Sequence, residues 1–267
     1  MAATPLLPSA PAGRVAFVGA GPGQADLITL RGAQRLSQAA VVLSDALADP
    51  ALRELAPQAR WLHVGKRGFA DSTGQEAINA LLIKCARELG SGGLVVRLKG
   101  GDPSVFGRLE EELQAMADAG IACEVVPGVT AALAAAASAQ RPLTRRGVGR
   151  SVSFSTVMTA TPTDIVRDSG SADTEVFYMA GKQLAVLSRK LMKAGWAGET
   201  GACVVSRAGW PDELHSDHTV ATLGRASMLH AGRPTVVVVG AGARPLNKVE
   251  SPASVNGAAL WPASMNT

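Results

Sequence analysis

The chain has 267 residues, 47% of them hydrophobic, and a formal net charge of +4. That suffices for one large or two ordinary globular domains and admits an anionic ligand. No basic block interleaves with aromatics, and one Tyr, four Trp and five Phe make a poor base-stacking surface, so nucleic-acid binding is not expected.

No apolar run reaches the roughly 18 residues of a membrane helix. Residues 1–13, rich in Ala and Pro without a basic n-region, read as a loose N-terminal tail and not a signal peptide. Val15-Ala16-Phe17-Val18 predicts a first strand, entering Gly19-Ala20-Gly21-Pro22-Gly23. Leu27, Leu30, Ala33 and Leu36 fall at helical spacing and predict a helix over 26–37 with Asp26 as N-cap. A second strand at 40–43 ends in Ser44-Asp45-Ala46-Leu47. A short helix at 50–55 and a strand at 61–64 follow, the latter running into Gly65-Lys66-Arg67-Gly68. Ile78, Leu81, Leu82, Cys85 and Leu89 make one apolar stripe on a helix over 75–89.

The stretch from Leu94 to Arg108 organises the chain. It starts as an apolar run of strand length, Leu94-Val95-Val96-Arg97-Leu98, and breaks into Lys99-Gly100-Gly101-Asp102-Pro103. The glycines let a ligand lie against bare backbone, Asp102 adds a carboxylate acceptor, and Pro103 pushes Asp102 away from helical angles. A helix at 109–119 with Gly120 at C′, a strand at 124–126 ending in Pro127-Gly128-Val129-Thr130, and an alanine-rich helix at 131–139 complete the first half.

A basic stretch at 141–150 reads as a linker, which bounds an N-terminal domain at 14–140 and a C-terminal one at 151–243. Strands are expected at 152–154, 176–178, 203–205, 218–222 (antiparallel) and 234–240 (interior), with a helix at 183–194; residues 244–267 read as a loose C-terminal tail. Strands alternating with helices give the fold class: two α/β domains with mostly parallel sheets. The three scattered cysteines, Cys85, Cys123 and Cys203, lack zinc spacing and read as reduced core thiols of a cytoplasmic protein, with no metal centre.

Gly19-x-Gly21-x-Gly23 invites a dinucleotide-binding reading, but that fingerprint needs a glycine at position 24, which is Gln24. A nicotinamide-dependent oxidoreductase is therefore a rival from another class, and a non-catalytic binding module a third reading. Pro22, Asp45, Lys66, residues 100–102 and Thr130 each follow a predicted parallel strand. One sheet edge gathers them, which makes a ligand cleft the better expectation than mere turn chemistry.

Five segments carry a family resemblance: Val18-Gly19-Ala20-Gly21-Pro22-Gly23, Val64-Gly65-Lys66-Arg67, Val96-Arg97-Leu98-Lys99-Gly100-Gly101-Asp102-Pro103, Val125-Val126-Pro127-Gly128-Val129-Thr130-Ala131 and Pro142-Leu143-Thr144-Arg145-Arg146-Gly147. In order and spacing the chain resembles the uroporphyrinogen-III C-methyltransferases of the tetrapyrrole-methylase superfamily, from about residue 14 to 240. The resemblance implies a homodimer of two-domain α/β subunits with S-adenosylmethionine in the cleft between domains, acting on a reduced tetrapyrrole; a later precorrin is the alternative substrate. It implies cofactor contacts from Pro22, Gly100, Gly101, Asp102, Val105, Thr130, Ala131, Met179 and Ala208. It also makes Asp45 the proton acceptor and Lys66 the donor. Arg67, Arg97, Lys99, Arg145 and Arg146 are expected to grip carboxylates, since guanidinium forks match them. The chain departs from the family pattern at Ala46, at Arg145, at Leu109-Glu110 and at Ser155-Thr156-Val157-Met158, all on the substrate side or at the hinge.

Overall fold

A computed structural model describes residues 12–65, 74–157 and 172–246. The first half builds a wholly parallel sheet from β1 (Arg14–Gly19), β2 (Val41–Ser44), β3 (Arg60–His63), β4 (Leu94–Lys99) and β5 (Cys123–Val126), in the order β3-β2-β4-β1-β5. α1 (Leu30–Ser37), α2 (Gln75–Leu89), α3 (Leu109–Asp118) and α4 (Ala131–Ser138) lie between the strands in the chain. β4 is interior, and all six of its residues are buried.

Alternation along the strands sorts side chains to two cores. Val15, Phe17, Val41, Leu43 and Val95 meet Ile78, Leu82 and Cys85 of α2 and Met116 of α3. Ala16, Val18, Val42, Leu94, Val96 and Leu98 meet Leu36 of α1 and Leu52 on the other face. The same period of two turns Arg97 and Lys99 toward α3. There Glu112, with no solvent exposure, accepts from Arg97 Nε at 2.9 Å and from Lys99 Nζ. Arg97 Nη1 also donates to the carbonyls of Leu43 and Leu98, so the cluster ties β2, β4 and α3 together.

One helix start differs from the expected one. The extended backbone of Ile28 and Thr29 divides the region expected at 26–37 into a 3-10 turn at Ala25–Leu27 and α1, which Thr29 caps through Gly32 N–H at 3.1 Å; Asp26 caps nothing. Asp49 caps the 3-10 helix Pro50–Leu55 through Ala51 N–H at 3.0 Å. Cys85 and Cys203 are buried as expected, whereas Cys123 is exposed because β5 is an edge strand.

The second half contributes β6 (Val152–Thr156), β7 (Thr174–Tyr178), α5 (Leu184–Lys193), β8 (Gly201–Ser206), β9 (Leu214–Thr219) and β10 (Thr235–Gly240). Its sheet order is β6-β7-β10-β8-β9. The expected mostly parallel pairing is corrected here: only β6–β7 is parallel, and β10 runs antiparallel to both β7 and β8. The physical reason is connection length. α5 carries the chain from β7 to β8 with one strand position left open between them, which β10 later fills running antiparallel to both, and the short loop at 207–213 turns the chain straight back from β8 into β9.

One face of this second sheet is covered by α5, through Leu184, Leu187 and Leu191. The other is covered by α4 of the first half, whose Ala132 and Ala135 share a core with Val176, Tyr178, Cys203, Val205 and Val238. Small side chains let α4 approach the sheet closely, which explains an alanine run with almost no amphipathic pattern. Arg141, just past α4, is buried and grips Asp217 of β9 with both terminal guanidinium nitrogens, and its Nη1 donates to the carbonyl of Ala243 at 2.9 Å. Arg141, the first residue of the stretch expected as a linker, thus ties the end of α4 to the second sheet.

No helix among the described residues is long and apolar enough to cross a membrane.

Removing Glu112 leaves two buried cations without their counter-charge. Glu112→Ala is expected to lower stability by about 3–5 kcal/mol, read from the urea unfolding midpoint. An unchanged midpoint would mean that the cluster carries no structural weight.

Candidate active site

The parallel strands β1, β4 and β5 deliver three glycine-bearing loops to one edge of the first sheet. Gly21 and Gly101 exchange backbone hydrogen bonds of 3.2 and 2.9 Å. The loops pack backbone on backbone: a Cβ on Gly19 would fall 2.6 Å from Gly128 Cα, and one on Gly128 would fall 2.3 Å from the carbonyl oxygen of Gly101. Gly101 itself has φ +71°, yet a Cβ there would meet nothing nearer than 3.9 Å. The space beside Val129, Thr130 and Ala131 that a side chain would fill is open, which is the cradle a ligand lying on backbone requires.

Asp102 organises this cradle. Its Oδ1 accepts from Ser104 N–H at 2.7 Å, and its Oδ2 accepts from Gly128 N–H at 2.8 Å, so one carboxylate joins the β4 and β5 loops. Thr130 is buried, and its hydroxyl lies 2.7 Å from the Tyr178 hydroxyl at the end of β7. Burial pushes the Tyr178 phenol up, and the bond to Thr130 offsets this in part, so the hydroxyl stays protonated at neutral pH. The Tyr178 ring is flanked by Phe106 at 5.0 Å and Phe154 at 5.8 Å, both partly exposed. Val105 and Ala131 pack into the same cluster as Tyr178 and Ala208.

The second sheet sends two loops to the same place. Met179 follows β7 with φ +56° and is 44% exposed, an uncommon pairing for a non-glycine residue at a strand end. Ala208 follows β8, and the next residue, Gly209, meets the first loop: Gln24 N–H donates to its carbonyl at 3.0 Å. A Cβ on Gly209 would fall 2.5 Å from the carbonyl oxygen of Pro22. The structure therefore gathers Pro22, Gly100, Gly101, Asp102, Val105, Thr130, Ala131, Met179 and Ala208 from five strand ends.

Asp45 is half-buried at the end of β2. Its carboxylate accepts from Gly100 N–H at 3.1 Å and from Leu47 N–H at 3.1 Å, which sets it beside the β4 loop. A cavity of ≈ 290 Å³ opens there, lined among others by Ser44, Asp45, Ala46, Arg53, Trp61 and His63. Lys66 and Arg67 lie outside the described residues.

The expected carboxylate-gripping set divides. Arg97 and Lys99 are corrected: both are buried against Glu112, so their charges are turned away from the loop edge. Burial first, then the charge of Arg97, push Lys99 below the ordinary lysine range against the pull of Glu112. Arg145 is half-buried and donates to the carbonyl of Arg244, while Arg146 is exposed. Cys203, His215 and Asp217 come within 4.8 Å of one another. They make a poor cation site, because Asp217 is held by Arg141 and burial pushes the Cys203 thiol up to about 11.

Sequence reasoning missed Glu112, Tyr178, Phe106 and Phe154. For Glu112 the available signal was the alternation of Arg97 and Lys99 on one face of β4. For Tyr178 it was being the single tyrosine of the chain, at a strand end.

Residues 14–224 match the family of Tetrapyrrole (Corrin/Porphyrin) Methylases. The chain is 38% identical over 231 residues to a uroporphyrinogen-III C-methyltransferase of Pseudomonas aeruginosa, covering 85% of this chain and 93% of that protein. It is 43% identical over 237 residues to a siroheme synthase of Baumannia cicadellinicola, covering 86% of this chain and 50% of the relative. The chain thus spans about half the length of the siroheme synthases it matches. A crystal structure of uroporphyrin-III C-methyltransferase from Thermus thermophilus, complexed with S-adenyl homocysteine, superposes with a TM-score of 0.74 at 34% identity, covering 85% of this chain and 97% of that one. The sequence match, the strand order and the loop edge agree: the chain belongs to the tetrapyrrole (corrin/porphyrin) methylase family.

Proposed function

We propose that this chain is an S-adenosylmethionine-dependent methyltransferase that adds two methyl groups, at C2 and C7, to uroporphyrinogen III, giving precorrin-2 in the branch toward sirohaem or cobalamin. The observation that carries the reading is the cradle built from Gly19, Gly101 and Gly128, open above Gly101 and flanked by Met179 and Ala208 of the second half. It occurs in a chain 38% identical to a uroporphyrinogen-III C-methyltransferase across nearly all of that protein.

On this reading Pro22, Gly100, Gly101, Asp102, Val105, Thr130, Ala131, Met179 and Ala208 hold the cofactor. When bound, S-adenosylmethionine supplies a sulfonium methyl as the electrophile. The chain's own residues align and polarise. The backbone around Gly101 admits bulk where a side chain would exclude it. The Thr130–Tyr178 pair fixes the second half against the first. The alkylated pyrrole carbon already bears a carboxylate arm and no hydrogen, so the cation formed on methyl transfer must be neutralised by loss of a proton from elsewhere on the macrocycle. Asp45, anchored by Gly100 N–H, is the acceptor we assign, with Lys66 as the donor. Arg146, exposed near the hinge, and Arg67 are the remaining candidates for substrate carboxylates.

Methylation of a later precorrin is the second reading; the names of the two relatives of matching length favour the first substrate. The nicotinamide-dependent alternative gains no support from a match to a methylase family, and Gln24 fills the place of its third glycine. The family resemblance extends the proposal to a cytoplasmic homodimer with no nucleic-acid partner.

Anaerobic incubation with uroporphyrinogen III and S-adenosylmethionine is expected to yield a methylated chromophore and two equivalents of S-adenosylhomocysteine. Absence of both would refute the reading. Asp45→Asn retains an oxygen for Gly100 N–H but cannot take the proton. It should leave cofactor affinity within about twofold and slow turnover by about 10²–10⁴-fold. Loss of cofactor binding in that variant would instead make Asp45 a structural residue.

A further inference from the structure

The cavity beside Asp45 also holds the guanidinium of Arg53. Arg53 lies on the 3-10 helix after β2, with its Cζ 5.6 Å from the centroid of the Trp61 ring. Its Nη2 donates to His63 Nε2 at 2.5 Å, and His63 Nδ1 lies 2.9 Å from Ser44 Oγ. With Nε2 accepting, the imidazole proton sits on Nδ1 and points at Ser44. The row is therefore oriented from Arg53 through His63 to the buried end of β2.

Two carboxylates share the cavity, and neither pairs with Arg53. Asp49 Oδ2 accepts from Ala25 N–H at 2.9 Å and its Oδ1 from Ala51 N–H at 3.0 Å. Asp45 accepts from Leu47 and Gly100 N–H. Their charge is directed into backbone amides that close the surrounding loops. Among the described residues Arg53 forms no ion pair, while Arg35, Arg60, Arg97, Arg108, Arg141, Arg207 and Arg233 each do. One of its five donors is taken by His63, and the stacked ring holds the fork in place without neutralising it.

The volume decides what such a fork would bind. At ≈ 290 Å³ the cavity falls at the lower end for a ligand site, large enough for one arm of a ligand and too small for a macrocycle. It opens at the C-terminal ends of β2 and β3, the edge where open α/β sheets take ligands, and Asp45 forms part of its wall.

We propose that Arg53, backed by His63, is a carboxylate subsite that receives one acetate or propionate arm of the tetrapyrrole. This rests on the substrate assigned above. Arg53 is a substrate-binding residue, and it takes no part in methyl or proton transfer.

The test uses the full chain with Arg53→Ala, and Arg53→Lys as the variant that keeps charge and stem but loses the fork. With S-adenosylmethionine saturating, Arg53→Ala is expected to raise KM for uroporphyrinogen III about 10- to 100-fold, while kcat changes less than twofold and S-adenosylhomocysteine affinity is unaltered; Arg53→Lys falls between. A fluorescence titration with uroporphyrin, the stable oxidised octacarboxylate, reads the subsite without turnover. There Arg53→Ala should weaken binding about tenfold or more. Equal KM in wild type and Arg53→Ala, equal uroporphyrin affinity, or no uroporphyrin binding by wild type would each overturn the subsite. Wild type that binds uroporphyrin with the expected dependence on Arg53 but methylates nothing would overturn the substrate assignment and leave the subsite supported.

Discussion

A carboxylate with no solvent exposure, Glu112, neutralises two cations on same-face positions of an interior strand. Much of the structure depends on that arrangement. Burying Arg97 and Lys99 without it would strand two charges in the first core, each costing several kcal/mol after relaxation. With it, α3 is pinned to β4 one residue before the Gly100-Gly101 turn. The loop that follows therefore leaves the sheet from a fixed point. A hydrophobic trio of similar volume would pack at least as well, so the ion cluster is better understood as setting register and direction than as a store of stability.

From that point the constraint passes outward through polar contacts. Gly100 N–H reaches Asp45 on the β2 loop, Asp102 reaches Gly128 on the β5 loop, and Thr130 reaches Tyr178 on the second sheet. Each link is one hydrogen bond of ordinary length, and each joins strand ends far apart in sequence. α4 seals the same junction from behind, with alanines packed against Val176 and Val205. The edge of one sheet and the ends of another thus meet at one place, with the Asp102 carboxylate set among the glycine loops and Asp45 and Arg53 beside the cavity on the β2–β3 side.

The local grammar of the chain gave much of this in advance. α2 spans the residues its apolar stripe predicts and buries Ile78, Leu82 and Cys85 of that stripe, and the parallel order of the first half follows from strands separated by helices. The glycine loops were readable because only glycine tolerates both the close approach at Gly19 and Gly128 and the positive φ at Gly101. What was not readable is non-local. Nothing in the apolar run at 235–240 says that β10 inserts between β7 and β8 in the opposite sense, since burial on both faces looks the same in either direction. Arg97 and Lys99 were assigned to substrate from charge type alone. The alternation of β4 pointed them inward, but only the structure supplies Glu112 as the reason they can stay there. Tyr178 escaped notice because its partner, Thr130, is 48 residues away on the other half of the molecule.

The central claim is that loops from both halves form one cofactor cleft, and hydrogen exchange of the backbone amides tests it most directly. On addition of S-adenosylhomocysteine, the account predicts slowed exchange in residues 100–105 and 129–131 of the first half together with 179–181 and 207–209 of the second. Protection confined to one half, or centred on the cavity beside Asp45, would contradict it.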